Sequence, residues 1–243
     1  LASEPATLDP ALNSAVDGAT MAAHLFSGLA KWSQDANGNL AIVADLATSL
    51  PEGVTNADGT VTYTYTLKDN LKWSNGEALV AQDFVDSWNR AASSALGADY
   101  GYMFEVVKGY GTDSLAVEAT DDKTIVVTLS NAVAYWNELL AFPTYYPVYN
   151  AKNVSESWAT DPSTYVNNGP YKMTAWEHNS VITLEKNENY HDAASVTMPK
   201  INFYLSDDAN NMLANFKNGS WLLIDDVPTN EIASLKTEYP DEF

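Results

Sequence analysis

The sequence predicts an α+β or mixed α/β fold. Three observations lead there: short runs in which β-branched and aromatic residues alternate with polar ones, turn signals between pairs of those runs, and intervening stretches with apolar residues at helical spacing. Of the 243 residues, 46% are hydrophobic and 12% aromatic, enough for a sizeable core and too many for a disordered chain. At roughly 100–200 residues per domain, the length fits one large domain or two small ones.

Residues 61–67 put Val61, Tyr63, Tyr65 and Leu67 on one face and Thr62, Thr64 and Thr66 on the other, a strand pattern. Asp58-Gly59 before it signals a hairpin turn, so residues 47–54 are expected to form the partner strand. Over 81–93 the period changes: Phe84, Val85, Trp88, Ala91 and Ala92 share one helical face, and Asp83 suits the positive helix end. A second hairpin is expected from 115–119, a turn at Asp121-Asp122, and 124–129. Trp136, Leu139 and Leu140 predict a helix over 132–141. Residues 171–176 and 181–186 form a third strand pair, and 201–205 read as a buried strand. Met212, Leu213 and Phe216 mark a helix over 207–217 that Gly219 ends. The run 221–224 (WLLI) reads as another buried strand, and 229–236 as a short helix. Pro143, Pro147, Pro162 and Pro170 punctuate an aperiodic stretch, 143–170, that reads as a passage between two lobes.

Charge removes several function classes. Lys and Arg number 12 against 32 Asp and Glu, a net charge of −20. Nucleic-acid affinity comes mainly from cationic side chains on phosphates, so no nucleic-acid partner is expected, and docking on anionic lipid is disfavoured. The absence of cysteine excludes disulfides, thiolate catalysis and Cys-ligated zinc. No apolar run approaches the roughly 18 residues that span a bilayer. The chain opens at Leu1, as after removal of a signal or anchor segment or a start within a longer gene product.

Catalytic signatures are missing: neither a nucleophile elbow, a phosphate-binding glycine loop nor a zinc-protease helix motif occurs. His24, His178 and His191 are dispersed and read as structural or surface residues rather than metal ligands. Residues 35–38 (DANG) are similar to a calcium loop, but Leu46 stands where the bidentate Glu belongs, so they read as a turn. Asp121-Asp122 and Asp207-Asp208 are explained by a turn and a helix start. Asp225-Asp226 ends an apolar strand before Pro228, a place where strand ends open onto clefts, and is a candidate binding pair. Tyr100 and Tyr102 sit in a loop and serve either packing or a ligand.

Four segments together resemble the oligopeptide-binding type of extracellular solute-binding proteins of ABC importers. They are 4–10 (EPATLDP) with 25–29 (LFSGL); 58–88, with KWSNGE followed by QDFVDSW; 168–176 (NGPYKMTAW) with 182–190 (ITLEKNENY); and 216–219 (FKNG). The helix start departs from the family pattern: Val80 replaces a hydroxyl cap worth about 1 kcal/mol. The resemblance implies a periplasmic-binding-protein-like type II fold in which a second ligand-binding lobe lies beyond this chain. It implies an incomplete, discontinuous first lobe, 1–28 with 165–243, and an inserted small α+β domain, 29–164. It implies a ligand site at Ser14, Ala15 and Val16 through main-chain hydrogen bonds, at Tyr100 as an aromatic wall, and at Asp225, Asp226 and Val227 as an orienting group. The function implied is capture of an oligopeptide for import, without catalysis, cofactor or metal. The protein would act as a monomer delivering to ABC permease subunits, lipid-anchored on the extracellular face or free in the periplasm. Oligosaccharide or nickel binding within the same family, and an acid/base hydrolase outside it, are the alternatives.

Overall fold

The computed structural model describes residues 1–155 and 157–242. Its elements in chain order are α1 (Val16–Leu25), β1 (Ala30–Gln34), β2 (Leu40–Ala44), β3 (Val54–Thr55), β4 (Val61–Thr66), α2 (Ala81–Ala92), β5 (Val117–Ala119), β6 (Thr124–Leu129), α3 (Trp136–Leu139), β7 (Tyr171–Glu177), β8 (Val181–Lys186), β9 (Lys200–Tyr204), α4 (Ala209–Lys217) and α5 (Ile232–Glu238). The strands form three antiparallel sheets, β1-β2, β3-β4-β6-β5 and β7-β8-β9. Mixed antiparallel sheet and helix is the predicted class.

Two hydrophobic clusters organise these elements. The first packs the inner face of the four-stranded sheet (Tyr65, Ile125, Val127, Leu129) against Phe84 and Trp88 of α2. Trp88 lies at its centre, edge-on to Phe84, Trp136 and Tyr145, and its indole N–H donates to the Tyr145 carbonyl at 2.8 Å. The second packs Met21 and Leu25 of α1, with Phe26, against Met173, Trp176, Ile182 and Leu184 of β7 and β8. The 143–170 stretch contains short 3₁₀ turns but is firmly packed: Tyr145 lies in the first cluster, and Val148, Trp158 and Tyr165 lie in the second.

Several expected elements change. The partner strand expected at 47–54 shrinks to Val54–Thr55 and an isolated Ala47–Leu67 bridge, because Pro51 cannot donate to a ladder. The main partner of β4 is β6 instead. The helix at 132–141 contracts to Trp136–Leu139, with Leu140 as its C-cap and Pro143 starting a separate 3₁₀ turn. Strand β9 is an edge strand with one half-buried face, not a buried strand. The run 221–224 is not a strand: Leu222 and Leu223 are 86% and 87% exposed, with no ladder around them to bury their faces. Val80 is the N-cap of α2, at the expected helix start, and without a hydroxyl it makes no side-chain cap bond. Asp83 compensates by accepting from the Val80 N–H at 2.9 Å and from the Trp73 indole at 3.2 Å.

The chain passes from the second cluster to the first at 25–29 and returns between Tyr145 and Val148; the outgoing passage is stitched to the segment 167–171. Asn168 pairs with Ser27 through both side-chain atoms, donating to its carbonyl at 3.0 Å and accepting from its N–H at 3.1 Å. The Gly169 N–H donates to the Leu25 carbonyl at 2.9 Å, and a Cβ at Gly169 would lie 2.4 Å from Leu25 backbone. Asn167 donates to the carbonyls of Leu25 and Tyr171. Ser74 of the KWSNGE turn joins the same knot: its N–H donates to the Asn167 carbonyl at 2.7 Å and its hydroxyl accepts from the Asn167 N–H at 3.2 Å. Buried backbone groups need such partners wherever ladders are absent.

Two ion-pair networks bridge the clusters. Asp9 is 1% exposed and accepts from both Arg90 terminal nitrogens (2.5 and 3.3 Å), the Trp158 indole (3.2 Å) and the Ala11 N–H (3.0 Å). Asp45, 2% exposed, meets Lys31 at 3.1 Å and His191 at 3.0 Å. Burial pushes the Asp45 carboxyl up, but the His191 hydrogen bond and the Lys31 charge outweigh it and hold the group below its ordinary value.

Arg90→Met leaves the Asp9 carboxylate buried without its cation; urea unfolding should show a loss of about 3 kcal/mol or more. Asp45 is ionised more readily folded than unfolded, so its contribution is full above about pH 4 and is lost as pH falls through its lowered folded value. The Asp45→Asn variant should therefore be less stable at pH 7 and show a shallower fall in melting temperature between about pH 5 and pH 3.

Candidate functional site

The first candidate segment is built by a turn. The Asp9 carbonyl accepts from the N–H groups of Leu12 and Asn13, after which the chain is extended at Ala15 (φ −108°, ψ 153°) and enters α1. Ser14, Ala15 and Val16 are exposed, Val16 by 82%, an unusual setting for a β-branched apolar side chain. Buried Asn13 holds the segment by donating to the Ala15 carbonyl (3.1 Å) and accepting from the Ala15 N–H (3.2 Å). A Cβ at Gly18 would fall 1.9 Å from the Asn13 side-chain oxygen, so glycine is required there for this approach. The main chain of Ala15 is thus engaged within the protein. Among the described residues nothing pairs with the N–H or C=O of Ser14.

Tyr100 caps the 3₁₀ turn Gly101–Val106, half-buried, with its ring edge-on to Phe142 at 5.0 Å and 6.3 Å from Tyr102. Tyr102 is the more exposed of the pair, at 53%. It borders a cavity of about 370 Å³ closed by the 109–114 loop, which Tyr100 does not line.

Asp225, Asp226 and Val227 lie in an exposed loop, not at the end of a strand as the sequence suggests. Asp226 accepts from the Val227 N–H at 2.8 Å. Beside them a cavity of about 490 Å³ opens between α4 and α5, walled by Leu213, Phe216, Leu235 and Tyr239. Residues 1–4 link this loop to the first segment: Leu1 N is 3.9 Å from the Asp225 carboxylate, and the Ser3 hydroxyl donates to Asp17 of α1 at 2.5 Å. Two residues reach about 7 Å, so the short segment 1–3 connects the 225–227 loop to the start of α1. Among the described residues no contact joins Tyr100 to either segment.

The histidines remain apart, with separate structural partners. His24 is edge-on to Phe203, His178 pairs with Glu4, and His191 meets Asp45. Among the described residues no group of His, Asp and Glu could hold a metal ion. The DANG sequence is a turn: Asp35 accepts from the N–H groups of Asn37 and Asn39, and Gly38 adopts φ +85°. Sequence reasoning missed the structural roles of Ser74, Arg90, Asn167 and Asp45. Only the adjacency of Asn167 to Asn168-Gly169 offered a signal for any of them.

Residues 41–242 match the model of the bacterial extracellular solute-binding proteins, family 5 Middle. The chain is 36% identical to the oligopeptide-binding protein OppA of Bacillus subtilis over 97% of its own length and 44% of that protein. It is 30% identical to the probable deoxycholate-binding periplasmic protein YgiS of Escherichia coli, over 99% of the chain and 45% of the relative. The solved Haemophilus influenzae OppA in complex with the peptide RPPGFSPFR superposes with a TM-score of 0.85 at 27% identity, covering 99% of this chain and 48% of that one. The chain therefore spans a little under half the length of these relatives. Its mixed α/β fold is that of their binding-protein scaffold. With a matched family model over most of its length, the chain belongs to the bacterial extracellular solute-binding proteins of family 5.

Proposed function

We propose that this chain forms about half of a two-lobed importer component that captures oligopeptides outside the membrane and passes them, chemically unchanged, to ABC permease subunits. The observation that carries the reading is the exposed, extended segment at 14–16, with the Ser14 backbone pair unpartnered among the described residues and Val16 presented to solvent. An extended peptide is recognised by such a segment through backbone hydrogen bonds, as in strand addition. The acidic loop at Asp225, Asp226 and Val227, a few residues away across the N-terminal segment, would orient a cationic or polar group of the ligand. Tyr100 would contribute from the other body of the protein as an aromatic wall.

In this reading 1–28 and 165–243 belong to the first lobe and 29–164 to the inserted domain. The passage at 25–29 supports the first limit, while the packing of Val148, Trp158 and Tyr165 in the second cluster draws the connection before residue 165 into the lobe's core. The whole protein would act as a monomer, periplasmic or anchored by lipid at the extracellular face, and would need no cofactor. The relationship to a probable deoxycholate-binding protein makes a steroid the second ligand class to test. The separation of the three histidines disfavours nickel.

Calorimetric titration of tri- to pentapeptides into the whole protein should give micromolar or tighter dissociation, and Ser14→Pro, which removes one backbone donor, should weaken it by about tenfold. Residues 1–243 alone, checked for folding by circular dichroism, should bind at least about 100-fold more weakly. Equal affinity for both, or binding of deoxycholate but no peptide, contradicts the proposal.

A further inference from the structure

Asn13 is only 9% exposed, yet it stands next to three exposed residues, and its whole carboxamide is spent two residues along the chain. Oδ1 accepts from the Ala15 N–H at 3.2 Å, and Nδ2 donates to the Ala15 carbonyl at 3.1 Å. The first bond is that of an Asx turn, which Asp makes as well and Ser or Thr more weakly. Making both bonds at once takes an acceptor and a donor side by side. At this side-chain length only the Asn carboxamide supplies them at neutral pH. The turn does not require the second bond, because the Ala15 carbonyl already accepts from the Ala19 N–H of α1 at 3.0 Å.

Together the two bonds fix two peptide planes. A trans peptide is planar, so its N–H and C=O point in opposite directions. With the Ala15 N–H turned inward to Asn13, the Ser14 carbonyl of the same peptide points outward. With the Ala15 carbonyl turned inward, the Val16 N–H of the next peptide points outward too. An acceptor and a donor thus stand close together on an exposed edge, and among the described residues neither has a partner. Gly18 makes room for the carboxamide. It lies buried in α1, where alanine is the better helix former. A Cβ there would overlap Oδ1 and Cγ of Asn13, and the third-nearest atom is Nδ2 of the same side chain.

We propose that Asn13 is a positioning residue for ligand capture, an inference that rests on the peptide-capture reading above. Asn13 does not touch the ligand. It holds the Ser14 carbonyl and the Val16 N–H in the direction from which an extended backbone is gripped, and Gly18 is the space it needs. Its two bonds span two residues and reach no other element, so they tie no parts of the fold together. What they secure is the direction of the backbone groups at 14–16.

A double-mutant cycle in the whole protein tests this. Binding is read by calorimetric titration with the tightest-binding of the tri- to pentapeptides, at a temperature where circular dichroism shows every variant folded. Asn13→Ala should weaken binding by about tenfold, and Gly18→Ala, by displacing the carboxamide, should do so by a similar factor. The double variant should be no weaker than Asn13→Ala, because the added methyl group then has no carboxamide to displace. In that background Gly18→Ala should also raise the melting temperature. Unchanged affinity in either single variant, even with a lowered melting temperature, overturns the proposal and leaves Asn13 a structural residue only. So do independent losses that multiply to about 100-fold in the double variant. A parent protein that binds no peptide overturns the reading beneath the proposal, and the proposal with it.

Discussion

The structure depends on one constraint: the segment by which the chain leaves the second hydrophobic cluster, 25–29, must run buried beside 167–171, a segment of the same cluster far along the sequence. At 25–29 and 167–171 two irregular segments run past each other with no ladder to satisfy their backbone groups. Each carbonyl and N–H buried there costs free energy unless bonded. Asn167 and Asn168 supply side-chain amides that imitate strand pairing, and Gly169 permits the backbone contact that a Cβ would block. Because these bonds join residues about 140 apart in sequence, they fix how the two bodies of the protein sit.

The KWSNGE turn shows how one short motif serves both bodies. Trp73 is buried in the first cluster and bonds Asp83, replacing the capping chemistry that Val80 lacks. Ser74, the next residue, reciprocates with Asn167, which lies beside the passage at 25–29. Arg90, two turns along the helix that this motif opens, reaches the buried Asp9 of the opposite body. A core anchor, a backbone clamp and a charged tether thus lie within 73–90, which gives this run a physical reason for its length and order. The cost is a set of buried charges. Asp83 is pushed above its ordinary value by burial, so its ionisation works against folding near neutral pH, whereas Asp45, held low by His191 and Lys31, favours it.

Much of the fold was legible in the sequence, because alternation and helical spacing report which face of an element is buried. Strand β4, helix α2, the 115–129 hairpin, the β7–β8 pair and α4 all follow their apolar patterns. The failures share a cause: 47–54 is inferred from the Asp58-Gly59 turn signal and 201–205 and 221–224 from apolar composition, and neither signal says whether a neighbour is there to complete the pairing or the burial. The site was legible only in part. The pattern placed Asp225 and Asp226 at a strand end, but the run before them joins no sheet among the described residues, and the pair lies in a loop. The exposure of Val16 and the engagement of Ala15 by Asn13 belong to a turn that no periodicity records.

By itself the sequence determined the class of fold, the family and the absence of thiol chemistry, and its charge set the expectation against a nucleic-acid partner. These follow from local pattern, motif order and charge, all of which exist before folding. Tertiary structure alone decided which polar residues are structural. Asp9 and Arg90, Ser74 and Asn167, and Asp45 and His191 are remote in sequence, and their partners are set by where the passages between the bodies bring the backbone, not by spacing along the chain.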